Sequence, residues 1–411
     1  MFVVPFIFVL LLMWLVMAAP IGIRTIKRSV RVSAPTEKVW NALYPFGASA
    51  TWHHSAVAIE REDDTQGRIT TGHTGRDGEP IVRRFKLSNI VAGSSYDLRY
   101  TDDTSLADNF WEHHRQRIEL CSTDNGTQVT LLETDRYRGL AFLVYRFFAM
   151  RRMARQIKQW GETGAYQRGG WFDRIEAQFA MAVISTLLIW PLFGLTLNGF
   201  SLAVVLTSVV ALHELGHVLA FRLSGHKSAR MVFLPLLGGI AMGGRPYNSH
   251  FEIAFAALMG AGFSAFLVVG LWLAYLLAPL EGSMERAVLV CALICSVFNL
   301  GNILPVWKFD GGQVLRQIFR RRIDLYLASF CLLAAIGLYC ISLGMPVQVV
   351  ATGLILVAAL TLVTGTNTVK PRRALIAMSP FERGLSLFGL LAVLVIHAIV
   401  LQWSVGALII R

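Results

Sequence analysis

The stretch SLAVVLTSVVALHELGHVLAFRL, residues 201–223, decides how the rest of the chain is read. It is long enough to cross a bilayer as a helix, and before Arg222 its only ionisable side chains are His213, Glu214 and His217. Three such groups inside an apolar span are costly unless they are paired or bound to something. On a helix, positions four apart lie about 40° apart around the axis and one turn along it, so the imidazoles of His213 and His217 can reach one ion. Glu214 between them is placed to take a proton from a metal-bound water, which is the mechanical content of an HExxH motif. The same pentapeptide occurs in soluble helices whose histidines face solvent. Here the membrane-length setting favours a metal site over a structural cluster.

The wider composition agrees with a bilayer setting. The 411 residues are 55% hydrophobic and 16% charged, with a mean hydropathy of +0.53, which is too apolar for an ordinary soluble protein of this length. A net charge of +12 could suggest nucleic acid, but outside the soluble region the excess falls in short loops beside apolar runs, so membrane orientation explains it and no nucleic-acid partner is expected. The five cysteines form no CxxC pair and are expected to be reduced and structural.

Two regimes alternate along the chain. Residues 1–22, opening MFVVPFIFVLLLMWLVMAAP, read as an uncleaved anchor, because no basic residue precedes the apolar run while Arg24, Lys27 and Arg28 follow it. Residues 24–165 read as one cytoplasmic α+β domain: an alternating strand in IKRSVRVSAP, a short helix through Val39, Trp40 and Leu43, strands in FKLSNIV, SYDLRYTD, RQRIELCSTD and TQVTLLETD, and a long helix over about 139–162. Spans follow near 178–196, 200–222, 252–278, 287–305, 324–343, 347–366 and 384–405, which with the anchor gives about eight transmembrane helices. With the N-terminus outside, the basic loops FRLSGHKSAR, RQIFRRR and KPRRALIAMSPFER all fall on the cytoplasmic side. The fold class expected is a polytopic α-helical membrane protein in the cell membrane, with an inserted soluble α+β domain.

A catalytic zinc takes three protein ligands and keeps one position for water, so His213 and His217 leave one ligand to find. The best candidate is Asp310 in NILPVWKFDGG, residues 302–312. Pro305 is expected to break the preceding helix, and Gly311-Gly312 to permit backbone conformations that a β-carbon forbids, so that the carboxylate can be aimed inward. By topology both half-sites lie near the cytoplasmic end of their spans.

HELGH in one membrane helix with NxxPxxxxDGG in a later one resembles the site-2 protease family of intramembrane zinc metalloproteases, over about residues 178–320; residues 321–411 would be additional helices. The resemblance implies one zinc per chain held by His213, His217 and Asp310, Glu214 as general base, and Asn302 as a polar group holding substrate or oxyanion. It also implies that FLPLLGGIAMGGRP, residues 233–246, is a membrane-dipping hairpin whose edge pairs with an unwound substrate helix; the plain alternative is a glycine-rich loop. The run LMGAGFSAF departs from the family's Gly-Pro and downstream Asn, with Gly260, Ala261 and Ser264 in place. The strand and helix order of residues 24–165, with VSAPTEKVWNAL at its start, resembles the START-like, or polyketide-cyclase-like, helix-grip fold.

The function implied is a zinc endopeptidase acting on membrane-protein substrates in or near a transmembrane helix, with the soluble domain binding a hydrophobic ligand or the substrate's tail. The alternative from another class is a membrane-tethered lipid- or hydrophobe-binding protein with a structural or vestigial metal site. The pairs His53-His54 and His113-His114 are read as strand neighbours pointing to opposite faces, unfit for a second metal. His226 and His250 are read as interfacial, and His397 as buried and hydrogen-bonded. The basic stretch YRFFAMRRMARQIKQW, residues 145–160, is read as burying its apolar face over a ligand cavity rather than lying on lipid.

Overall fold

The computed structural model describes residues 14–16, 18–166, 174–234, 238–278, 280–364 and 371–409. Most of the expected anchor therefore lies outside the described residues. The chain divides into two units, Met1–Gly170 with Val363–Ala374, and Trp171–Leu362 with Leu375–Arg411.

The first unit is a seven-stranded antiparallel sheet closed by one long helix. Its strands are β1 (Pro20–Val32), β2 (Ala58–Arg61), β3 (Gln66–Thr74), β4 (Pro80–Val91), β5 (Ser95–Asp103), β6 (Arg115–Thr123) and β7 (Gly126–Arg138), in the order β1-β7-β6-β5-β4-β3-β2. Alternation sets the faces: Thr127, Val129, Leu131 and Glu133 of β7 point inward, one residue in two, while their neighbours face out. A short helix, α1 (Thr36–Leu43), follows β1, and α2 (Leu140–Thr163) follows β7. Met150, Ala154, Ile157 and Gly161 of α2 are buried at helical spacing, and with Val32, Val39, Leu120, Val129 and Leu131 they belong to one core. Helix α2 ends on Gly164, whose φ of 71° is a left-handed cap that a β-carbon would strain. This strand order with a long closing helix is a helix-grip arrangement. A cavity of about 280 Å³ remains between the two layers, with Trp52, Tyr96, Tyr100, Glu133, Arg146 and Met153 in its wall.

Within residues 145–160, Arg146, Ala149, Met150, Met153 and Ile157 line that cavity, as expected, while Tyr145, Phe147 and Phe148, with Phe142 before them, are exposed on the other side of the helix. The strand reading of the histidine pairs is wrong. His53 and His54 sit in a turn before β2, their ring centroids 4.3 Å apart, and His114 lies just before β6. Burial and the neighbouring His54 hold the His53 imidazole down at about 4.

The second unit is helical: α3 (Ile175–Ile189), α4 (Leu197–Leu223), α5 (His250–Leu277), α6 (Gly282–Ile303), α7 (Asp310–Ile318), α8 (Arg322–Ser342), α9 (Val347–Thr364) and α10 (Pro380–Ile409), with a two-stranded antiparallel ribbon, β8 (Arg230–Leu234) and β9 (Gly238–Met242), after α4. Among the described residues six helices are long and apolar enough to cross a membrane, the first taking in the turn up to Phe193, and α9 is a shorter apolar helix. They match seven of the eight expected spans. Small residues let α5 lie at the centre: Ala254, Ala257, Gly260, Ala261, Ser264 and Ala265 are all buried, and a β-carbon at Gly216 of α4 would strike the Met259 carbonyl of α5.

Candidate metal centre

Helix α4 carries His213 and His217 on one face, both buried against α5 and α6. Helix α6 stops at Ile303. Its continuation is barred at Pro305, which lacks the N–H a further turn would need, and the chain makes a tight turn before α7 begins at Asp310. Arg316, one and a half turns into α7, fastens that turn by donating to the Trp307 and Gly312 carbonyls with its guanidinium over the Trp307 ring. The two glycines after Asp310 are needed for space and not, as expected, for unusual dihedrals: neither has a positive φ, but a β-carbon on Gly311 would overlap the Ile303 carbonyl and one on Gly312 the Val306 carbonyl.

The result is a convergence. Asp310 Oδ2 lies 3.0 Å from His213 Nε2 and 3.3 Å from His217 Nε2, and the two Nε2 atoms are 3.1 Å apart. The other ring nitrogens are already engaged. His213 Nδ1 donates to Asn299 Oδ1 at 2.8 Å, an orientation fixed because Asn299 Nδ2 donates to the Cys295 carbonyl, and His217 Nδ1 donates to the Ala256 carbonyl at 2.7 Å. With both Nδ1 atoms carrying the protons, three lone-pair atoms face one another in an enclosed space. Such a set is stable only around a positive charge. Asp310 Oδ2 is buried and has no hydrogen-bond donor aligned with it, and these three residues are the group among the described residues whose ligand atoms could hold a metal.

Glu214 points to the ribbon. Its Oε2 accepts from the Ala241 N–H at 2.8 Å, and Gly239 lies against its side chain so closely that a β-carbon would collide with it. The pairing of β8 with β9 aligns Phe233 with Gly239 and Met231 with Ala241. Since the Phe233 N–H leaves the ribbon to bond Gln178 and the Ala241 N–H leaves it to bond Glu214, the backbone groups of Gly239 and Ala241 lie on the outer edge of β9. The stretch expected to form a hairpin holds the two-stranded ribbon β8–β9, and residues 235–237 lie outside the described residues.

Asn302, expected at the site, donates to the Phe298 carbonyl of its own helix. Its neighbour one turn earlier, Asn299, is the asparagine that reaches a histidine. Gly260, part of the departure noted in the sequence, faces both imidazoles: a β-carbon there would lie 2.5 Å from the His217 ring and 2.7 Å from His213 Cε1. His226 has a structural partner as well as its place beside a basic loop. It is buried, its Nδ1 accepts from the Gly244 N–H, and its Nε2 donates to Glu252 Oε1 at 2.6 Å. Arg245 Nη2 donates to the same oxygen at 2.7 Å and the Asn248 N–H to Glu252 Oε2 at 2.6 Å, so one carboxylate joins the end of α4, the exit of β9 and the start of α5. His250 bonds Gln317, and buried His397 donates to the Ala261 carbonyl.

No family model matches the chain. It is 29% identical over 120 residues to a protein of Synechocystis sp. (strain ATCC 27184 / PCC 6803 / Kazusa) named "Putative zinc metalloprotease sll0528"; the match takes in 29% of this chain and 31% of that protein. Among solved structures, the chain is similar to the Aha1 dimer of Colwellia psychrerythraea (TM-score 0.28, 14% identity, 36% of this chain and 99% of that one). It is also similar to the protein SSP2350 of Staphylococcus saprophyticus (TM-score 0.28, 15% identity, 36% of this chain and 98% of that one).

Proposed function

We propose that the chain is a zinc-dependent endopeptidase that cleaves membrane-protein substrates in or near a transmembrane helix. The observation that carries this reading is the meeting of His213 Nε2, His217 Nε2 and Asp310 Oδ2 with both Nδ1 atoms already donating elsewhere. Two imidazoles and one carboxylate suit zinc and leave a position open, and the partial likeness to a protein bearing a zinc metalloprotease name points the same way. A zinc ion held there would supply Lewis acidity, polarising the scissile carbonyl and acidifying a water.

The residues around it divide the remaining work. Asn299 and the Ala256 carbonyl hold the imidazoles in the tautomer and orientation that a ligand needs. Glu214, beside the centre, takes the proton of the attacking water and passes it to the leaving amine. Its place at the outer edge of β9 supports a substrate segment pairing with Gly239 and Ala241 in extended form, which exposes the peptide bond that a helix would cover. Asn302 would hold the substrate or the oxyanion. The basic loops orient the N-terminus outside and the sheet unit and centre toward the cytoplasm. The cavity of about 280 Å³ in the sheet unit supports a gating role there, filled by a hydrophobic ligand or the substrate's tail.

Cells carrying wild type and Glu214→Gln are compared for membrane polypeptides that accumulate. Species that build up only in the variant, while purified Glu214→Gln keeps its zinc, support the assignment. Identical membrane proteomes would favour the hydrophobe-binding alternative.

A further inference from the structure

A second cavity, of about 610 Å³, lies in the helical unit between the start of α8 and the start of α10. Ile318, Phe319 and Leu387 give it an apolar wall, while Arg320, Arg321 and Arg383 face it with one acid, Asp324. Arginines at a membrane edge ordinarily orient a protein and need no ligand. Two observations set this group apart.

First, the guanidiniums lack protein partners. Among the described residues no carboxylate lies in salt-bridge range of Arg320, Arg321 or Arg383, and Arg383 Nε is buried with no hydrogen-bond acceptor. The Arg383 side chain is half-buried, but its buried Nε–H left unbonded costs more than a lost neutral hydrogen bond, which marks a place for an anion. Second, the backbone adds to the positive field. Helices α8 and α10 both begin at this cavity, at Arg322 and Pro380, so the positive ends of two helix dipoles meet the three arginines. Arg383 itself sits in the first turn of α10, next to Glu382, whose carboxylate is turned to the Ser379 N–H.

The geometry points to a site for a phosphate-type anion, and specifically for the headgroup of an anionic phospholipid. The planar, many-donor fork of arginine suits phosphate oxygens. The wall of Ile318, Phe319 and Leu387, continuous with the core that includes Leu325, Leu390 and Ala328, suits the acyl chains of a lipid and has no use for free phosphate. The cavity lies at the first residues of two helices long and apolar enough to cross a membrane, and headgroups gather at the ends of such spans.

The full chain, purified in a mild detergent, is titrated with phosphatidylglycerol or phosphatidylcholine and read by native mass spectrometry. Phosphatidylglycerol is expected to be retained at least tenfold more tightly. The preference should fall severalfold in Arg383→Gln and vanish in Arg320→Gln/Arg321→Gln, which changes only exposed side chains and so tests the site even if Arg383→Gln folds poorly. Equal retention of the two lipids, or a preference unchanged in both variants, overturns the site. Inorganic phosphate displacing phosphatidylglycerol at equal concentration overturns the lipid assignment.

Discussion

Each unit buries a cluster of ionisable side chains, and the two clusters are built differently. In the sheet unit, Glu133 pairs with Arg146 at 2.5 Å, His114 Nδ1 lies 3.4 Å from Asp135, and Arg83 pairs with Asp103 at 2.8 Å with its guanidinium over Tyr100 and Trp111. Opposite charges meet there, Arg146 against Glu133 and Arg83 against Asp103. In the helical unit, two imidazoles present lone pairs to a carboxylate and spend their protons on Asn299 and a backbone carbonyl. That cluster directs its lone pairs inward, the arrangement the proposed zinc would neutralise. Burial alone does not separate a structural cluster from a reactive one; the direction in which the protons point does.

Exchanging the two kinds of damage sharpens this contrast most. Asp310→Ala is expected to reduce the zinc content of the purified chain from about one per chain to near zero. Glu133→Ala leaves the half-buried Arg146 without its partner, so it should cost about 1–3 kcal/mol of stability while zinc stays bound. Metal analysis and denaturant unfolding of both variants check the pair, and loss of zinc from Glu133→Ala would erase the distinction. A smaller effect is expected at the support of the histidine: Asn299→Ala should weaken zinc binding by about 10–100-fold, with Asn299→Asp recovering most of it, as measured by competition with a chelating dye. Gly260→Ala should act in the same assay by pressing on both rings, and a variant that binds zinc as wild type does would show that α4 and α5 can separate.

The smallest effect belongs to the sheet unit. His53 is held near 4 in the folded protein against 6.5 unfolded, so the unfolded chain binds the extra proton between these values. This contribution to stability is complete above pH 6.5 and is lost as the pH falls toward 4. Melting of wild type and His53→Gln over pH 4–7 should show a shallower acid loss in the variant, and parallel curves would contradict the burial argument.

How much of this was legible in the sequence follows from the range of each interaction. The His213–His217 spacing and the Pro305–Asp310 break are local, and HELGH with FDGG pointed to the three side chains that converge in the structure. The strands of the sheet unit were visible through alternation, and the long helix through its length. Asn299 was not visible as a partner of His213, because 86 residues separate them and nothing in FNLGN distinguishes it from Asn302. His226 and Glu252, 26 residues apart, looked like ordinary polar residues at a loop. His53-His54 was misread because adjacent residues alternate only on a strand, and these lie in a turn. The exposed aromatics of α2 were not foreseen, because an amphipathic pattern shows that one face is buried without showing what the other face carries.

X-ray absorption at the zinc edge of the purified full-length chain tests the central claim most directly. Two imidazole nitrogens at about 2.0–2.1 Å and a carboxylate oxygen at about 2.0–2.2 Å, with the oxygen signal altered in Asp310→Ala, are the predicted result. A sulfur shell, or zinc whose surroundings are the same in Asp310→Ala as in wild type, would contradict it.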